Sequence, residues 1–364
     1  VSAEAGAGEP HIDTRVVHAG LDPDPTYGSV VPAIHQTSTY VQPSPGEFVE
    51  DYDYSRSANP TRAALERALG ELEGGHASAF SSGMAATHAL LTAALDAGAH
   101  LILPLDLYGG TYRLVDKVLA RFGLSYDLVD QTDLDALRVA LRDETRLIWV
   151  ETPTNPLLNE VDIPGVVAVA EGRAVVVDNT FATPVVQRPI ELGATAVVHS
   201  TTKYIGGHSD VVGGAVIAAG TDLHERVRFV QNSIGAVPGP FDCFLVHRGI
   251  RTLALRIARH TENGRAVSNW LDSAAGVEDV RWPGYCGMVS FRHPDAAGIA
   301  ARTEVFSLAE SLGGVESLIE VPGAMTHQSV ADSAAAVPAD LVRLSCGIEA
   351  AEDLIADLER ALGP

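Results

Sequence analysis

Lysine is almost absent from this chain: of its 25 cationic side chains only Lys117 and Lys203 are lysines, the rest being arginine. Positive charge is itself scarce, 25 Lys and Arg against 47 Asp and Glu, a formal net charge of -22. That balance disfavours nucleic acid or an anionic membrane as partner, because phosphate binding needs a basic footprint. The three cysteines, Cys243, Cys286 and Cys346, lie far apart and form no CxxC or Cys/His pattern. They offer no metal site and fit a reducing compartment as small buried apolar residues. Long hydrophobic runs are also missing. The longest uncharged window, Gly74 to Leu95, is broken by Gly83, three serines and two histidines, and fails as a transmembrane helix. Residues 1–10 hold neither a basic segment nor the apolar stretch of a signal peptide, so the expected location is the cytoplasm. No GxGxxG follows a strand, and neither GxxxxGK[ST] nor HExxH occurs, which removes the main support for nicotinamide, nucleotide and zinc-hydrolase chemistry.

What is present is an ordinary globular composition, 46% hydrophobic and 20% charged over 364 residues, enough for one large or two moderate domains. From about residue 62 to 220 short apolar runs alternate with helix-length amphipathic stretches, the signature of an α/β fold with a mostly parallel sheet. The expected strands are Ala77 to Phe80, Leu101 to Pro104, Tyr126 to Val129, Arg146 to Val150, Ala174 to Val177, Ala194 to Val198 and Gly214 to Ala218. Helices are expected over Arg62 to Leu72, after Asn59-Pro60-Thr61, and over Met84 to Leu95, after Ser81-Ser82-Gly83. The first fifty or so residues, rich in Pro, Gly and Thr, read as an extended arm. Beyond Pro238-Gly239-Pro240 one long helical pattern runs to Trp270, followed by the short strands and helices of a second unit.

The two lysines differ in setting. Lys117 sits on an amphipathic helical pattern and reads as a solvated charge. Lys203 follows the apolar run ending in Val197-Val198, at a strand's carboxyl end, where open α/β sheets bind ligands. Arginine cannot replace lysine where an amine must lose its proton and attack a carbonyl. Asp178 closes the preceding strand after Val175-Val176-Val177; it can serve a pyridine nitrogen or merely cap a turn. A Schiff-base lysine and an acid for a ring nitrogen are what pyridoxal phosphate asks of a protein. Ser82, Gly83 and Met84 open a helix directly after a strand, where free N–H groups favour an anion, although such a turn is also ordinary capping. The hydroxyls of Ser200 and Thr202 add donors. Tyr108, before Gly109-Gly110, can stack on a flat cofactor or simply pack.

Read together, Tyr54-Ser55-Arg56-Ser57-Ala58-Asn59-Pro60, Ser81-Ser82-Gly83-Met84, Asp106-Leu107-Tyr108-Gly109-Gly110-Thr111, Glu151-Thr152-Pro153-Thr154-Asn155-Pro156, Val177-Asp178-Asn179-Thr180, Ser200-Thr201-Thr202-Lys203-Tyr204, Gly314-Val315-Glu316-Ser317 and Arg343-Leu344-Ser345 resemble the Cys/Met metabolism family of pyridoxal phosphate enzymes, the cystathionine gamma-lyase, cystathionine gamma-synthase and methionine gamma-lyase group. The resemblance spans essentially the whole chain. It implies the type I (aspartate aminotransferase-like) fold: an arm over residues 1–53 that contacts a neighbouring subunit, a large cofactor domain over 54–248, and a smaller C-terminal α+β domain over 249–364. It implies Lys203 as the lysine bound to pyridoxal 5'-phosphate, Asp178 as the pyridinium partner, and Tyr108 stacked on the ring and moving protons. Ser82, Gly83, Met84, Thr180, Ser200 and Thr202 would complete the cofactor site, with Tyr54 and Arg56 reaching in from the neighbouring subunit of a homotetramer. Arg343, Asn155 and Ser317 would hold the substrate α-carboxylate; a planar guanidinium suits that task. Arg113 could take a distal carboxylate, and Asp53 or Glu316 a distal ammonium, unless these are ordinary ion-pair partners.

The sequence departs from the family pattern in places. Ala58 replaces the usual Gly, Cys346 the common Val, and the stretch Ala170 to Ala174 is several residues short, which reshapes a distal loop. Gly109 stands where methionine gamma-lyases often carry Cys. The expected activity is a carbon–sulfur lyase reaction, gamma-elimination on cystathionine or methionine to 2-oxobutanoate, ammonia and a thiol. Gamma-replacement on an O-acylated homoserine by cysteine is the alternative, and a non-catalytic or regulatory protein on the same fold the remote one.

Overall fold

The computed structural model describes residues 10–328 and 333–363; the beginning of the expected arm, residues 1–9, lies outside them. Seven strands form the larger sheet: β1 (His76–Phe80), β2 (His100–Pro104), β3 (Ser125–Val129), β4 (Thr145–Glu151), β5 (Ala174–Asp178), β6 (Ala196–His199) and β7 (Gly214–Ala218). Their order is β1-β7-β6-β5-β4-β2-β3. The five strands from β6 to β3 run parallel, and β7 is antiparallel to both β6 and β1. All seven expected strands are found, within a residue or two at each end. The central ones are legible because both faces are covered, so their sequences are continuous apolar runs. In β5, Val176 packs with Trp149 and Leu103 on one face, while Val175 and Val177 pack with Ile148 and Val166 on the other.

The helices Pro60–Glu73 and Gly83–Ala94 begin where their caps require: Asn59 accepts from the N–H of Thr61 and Arg62, and Ser82 from that of Ala85. The single long helix expected through Trp270 is instead two, Pro240–Ile250 and Leu253–Leu271. The Gly249 carbonyl accounts for the break, since Thr252 N–H turns back to it and the Arg256 guanidinium takes it as well. A second correction lies in the arm, which carries a short helix, Ile12–His18, anchored by the buried Val16. The short stretch near residue 172 forms a tight turn through Glu171 and Gly172, both with positive φ, at the amino end of β5 and so at the opposite end of that strand from Asp178.

The smaller sheet contains β8 (Glu278–Arg281), β9 (Met288–Arg292), β10 (Ser307–Leu308), β11 (Leu318–Glu320) and β12 (Leu341–Ser345), in the order β10-β11-β12-β9-β8. Its core joins Phe291, Ile319 and Leu344 to Val267 and Leu354 of the covering helices. The three cysteines are free and buried. Lys117 is a surface residue paired with Asp116 at 2.6 Å. No helix among the described residues is long and apolar enough to cross a membrane.

Candidate active site

The carboxyl ends of the parallel strands open into a cavity of about 320 Å³ whose lining includes Lys203, Asp178, Tyr108, Glu151, Asn155 and Arg343. Lys203 follows β6, and its Nζ donates to Ser311 Oγ at 2.7 Å. Desolvation in the pocket, reinforced by the Arg343 charge, lowers its pKa to about 8. The amine is therefore far easier to deprotonate than a surface lysine. Asp178 ends β5 facing the same cavity, and its Oδ1 accepts from the Thr180 N–H at 3.0 Å. Burial raises its pKa, while Thr180 and the nearby His199 favour the charged form.

The helix Gly83–Ala94 points its N-terminus at the cavity, which Ser82, Gly83, Met84, Ser200 and Thr202 also line. A Cβ on Gly83 would stand 2.9 Å from Ser200 Cβ, so glycine is what lets the helix start close against the Ser200 loop. Thr180 Oγ1 accepts from Ser200 N–H at 2.9 Å, tying the Asp178 turn to that loop. Such a cradle of backbone N–H and hydroxyl groups at a helix start fits a phosphate. With a low-pKa lysine and a ring-nitrogen acid alongside, the donor set fits pyridoxal phosphate.

Arg343, on β12, donates to Asn155 Oδ1 at 2.7 Å and to the Ser311 carbonyl at 3.0 Å, and pairs with Glu320 at 3.0 Å. The buried pair orients the guanidinium toward the cavity that both Arg343 and Asn155 line. Tyr108 lies over the same space with its N–H on Glu151 Oε2 at 2.8 Å; burial raises the phenol's pKa against the pull of Arg113.

Other expected site residues lie elsewhere. Ser317 is fully buried, its hydroxyl donating to Glu349 Oε2 at 2.8 Å and accepting from Gly347 N–H at 2.8 Å. It supports the strand end near Arg343 and lines no part of the cavity. Glu316 accepts from Ser209 Oγ, Asp53 accepts from Tyr54 N–H at 2.6 Å, and Arg113 is exposed beside Tyr108; none of the three is among the lining residues. Tyr54 and Arg56 line a different cavity, with Asn59, Arg62 and Pro238 to Pro240.

Sequence reasoning assigned no role to four groups that the fold brings in. Glu151 and Ser311 touch Tyr108 and Lys203 as described, and Ser311 holds a φ of 105°, a conformation that side chains rarely adopt and that recurs at functional sites. Glu310 stands at the cavity mouth. Glu73 lies beneath the sheet, where its Oε1 accepts from His199 Nε2 at 2.5 Å and Asn179 Nδ2 at 2.8 Å, linking the ends of β5 and β6.

A family model described as Cys/Met metabolism PLP-dependent enzyme matches residues 13–363. The chain belongs to that family. Among relatives within or near it, the cystathionine gamma-synthase of Mycobacterium tuberculosis is 51% identical, covering 96% of both chains. A cystathionine beta-lyase of Lactococcus lactis is 48% identical, covering 96% of this chain and 98% of the relative. The solved structure of cystathionine gamma synthase from Xanthomonas oryzae pv. oryzae, in complex with cystathionine, superposes with a TM-score of 0.93 at 41% identity and 98% coverage of each chain. As a Cys/Met metabolism enzyme the protein uses pyridoxal phosphate, and amino acids are the class of small-molecule substrate consistent with its family.

Proposed function

We propose that this enzyme catalyses gamma-replacement, in which the thiol of cysteine displaces the acyloxy group of an O-acylated homoserine to give cystathionine and a carboxylate. The observation that carries the reading is the 51% identity to a cystathionine gamma-synthase over 96% of the chain. Sequence alone puts gamma-elimination slightly first because it needs no second substrate; the similarity to a synthase supports replacement instead. The Lactococcus beta-lyase at 48% identity keeps lyase chemistry on cystathionine as the second reading.

In this proposal Arg343, steadied by Asn155 and Glu320, takes the substrate α-carboxylate. Pyridoxal phosphate supplies the electron sink for the bond broken at Cα. Asp178 would serve its ring nitrogen, and the Ser82–Met84 helix start with Thr180, Ser200 and Thr202 would hold its phosphate. Lys203 Nζ removes the Cα proton and then a Cβ proton, the acyloxy group leaves Cγ with the bonding pair, the cysteine thiolate bonds to Cγ, and protons return to Cβ and Cα. Tyr108 covers the reacting atoms and moves protons with Lys203. Glu310 at the mouth meets the ammonium of incoming cysteine, and Arg113 a carboxylate on the acyl group. Tyr54 and Arg56, in their own cavity, complete a neighbouring subunit's phosphate site within a homotetramer of close dimers.

The test supplies cystathionine or methionine as sole substrate. A synthase forms 2-oxobutanoate and pyruvate from them at no more than a few per cent of its rate of cystathionine formation; rapid pyruvate from cystathionine would mark a beta-lyase, and rapid 2-oxobutanoate a gamma-lyase.

A further inference from the structure

Glu151 and Asp178 are register partners on the adjacent parallel strands β4 and β5, and both line the Lys203 cavity. Two carboxyl groups thus stand on one wall, their strands about 4.8 Å apart, where like charges resist joint ionisation. Among the described residues, the groups acting on Glu151 include no cation. The cavity's Lys203 is bonded to Ser311, and Arg343 to Asn155 and Glu320. What faces Glu151 is Trp149 Nε1 at 3.4 Å from its own strand, Tyr108 N–H at 2.8 Å and the Asp106 carboxyl from the segment after β2, and Asp178 from β5. Of these four, two are neutral N–H donors and two are further acids. Burial, and next the Asp178 charge, push Glu151 well above the usual carboxylate range. Asp178 has more to hold its charge: the Thr180 backbone and side chain both donate to it, and His199 lies close by. The two acids are therefore unequal, and a single proton shared between them belongs on Glu151.

We propose that Glu151 works as a neutral carboxylic acid in the holoenzyme, a positioning residue that fixes Tyr108 through its backbone N–H and, by staying uncharged, leaves Asp178 the single anion opposite the cofactor's ring nitrogen. The inference rests on the Asp178 role given under the proposed function and is indifferent to replacement or elimination as the outcome. Infrared difference spectroscopy of the holoenzyme at pH 7, wild type minus Glu151→Gln, tests it. One protonated-carboxyl band is lost in the variant and the carboxylate bands are unchanged. Loss of a carboxylate band instead, or no loss of a protonated one, overturns the proposal. Asp178→Asn, measured in the same way, loses a carboxylate band; if it loses the protonated band, the proton sits on Asp178 and the assignment is reversed. Kinetics add a second readout. Glu151→Gln, which keeps shape and neutrality, lowers kcat less than about tenfold, and Glu151→Ala, which frees the Tyr108 N–H, more than about a hundredfold. Equal losses in the two overturn the neutral role.

Discussion

Lys203 is held where its charge is disfavoured, and this has consequences with and without cofactor. Because its pKa falls to about 8 in the folded chain from an ordinary 10.5, the unfolded chain binds more protons between those values. Apo-protein stability therefore rises with pH across that window, and the charged amine costs stability below it. Lys203→Met removes that cost, so the apo-variant gains about 1–3 kcal/mol at pH 7 in denaturant melts. The gain shrinks as pH passes from 8 toward 10.5, while turnover and the visible cofactor band are lost. Asp178→Asn retains cofactor, read by absorbance, but loses about two to four orders of magnitude in kcat, since a neutral amide cannot hold the ring proton. Lys203 was legible as one of only two lysines, placed just beyond an apolar strand, and Asp178 as the acid that closes one. Glu151 carries the same signal, closing Leu147-Ile148-Trp149-Val150, and it could have been found that way. Ser311 and Glu73 could not. Their roles depend on a backbone twist and on a contact 126 residues away in sequence.

Strands and helix starts carry the site at the next scale up. The Gly83 position tolerates no side chain against Ser200. Gly83→Ala should leave the apo-fold intact but weaken cofactor binding at least about tenfold, measured by equilibrium dialysis of apo-enzyme, because it forces the helix N-terminus away from the Ser200 loop. Glu73 ends its helix as a fully buried carboxylate at the negative end of the dipole, a placement that is locally unfavourable and is offset by His199 and Asn179. Glu73→Ala strands both partners and should cost about 2–4 kcal/mol, seen as a fall in Tm. The parallel strands were readable from apolar runs closed by turns. The break between Ile250 and Leu253 was not, because the 3.6-residue apolar period continues through it, and what marks it is the Arg256 guanidinium of the next helix taking the Gly249 carbonyl. The arm helix escaped notice since seven residues give too short a pattern, and it is Val16, docked in the core, that stabilises it.

For the whole molecule, the separation of Tyr54 and Arg56 from the Lys203 cavity within one chain is the feature that bears on assembly. If they complete a neighbour's site, Arg56→Ala and Lys203→Ala enzymes, each nearly inactive, should recover activity when unfolded together and refolded. Random pairing restores about a quarter of the sites, because one site of each mixed dimer has both groups intact. No recovery would place Arg56 outside the partner's site. The resemblance across the chain reached the family because most of its motifs follow strand ends in order, whereas no linear motif separates the family's reactions, and under the proposed function that choice falls to side chains around the cavity such as Glu310. The most direct measurement is the product ratio from one reaction containing an O-acylated homoserine, cysteine and the purified holoenzyme. Gamma-replacement predicts cystathionine in large excess over 2-oxobutanoate and equal to the carboxylate released. Carboxylate release with 2-oxobutanoate and no cystathionine, at saturating cysteine, would contradict it.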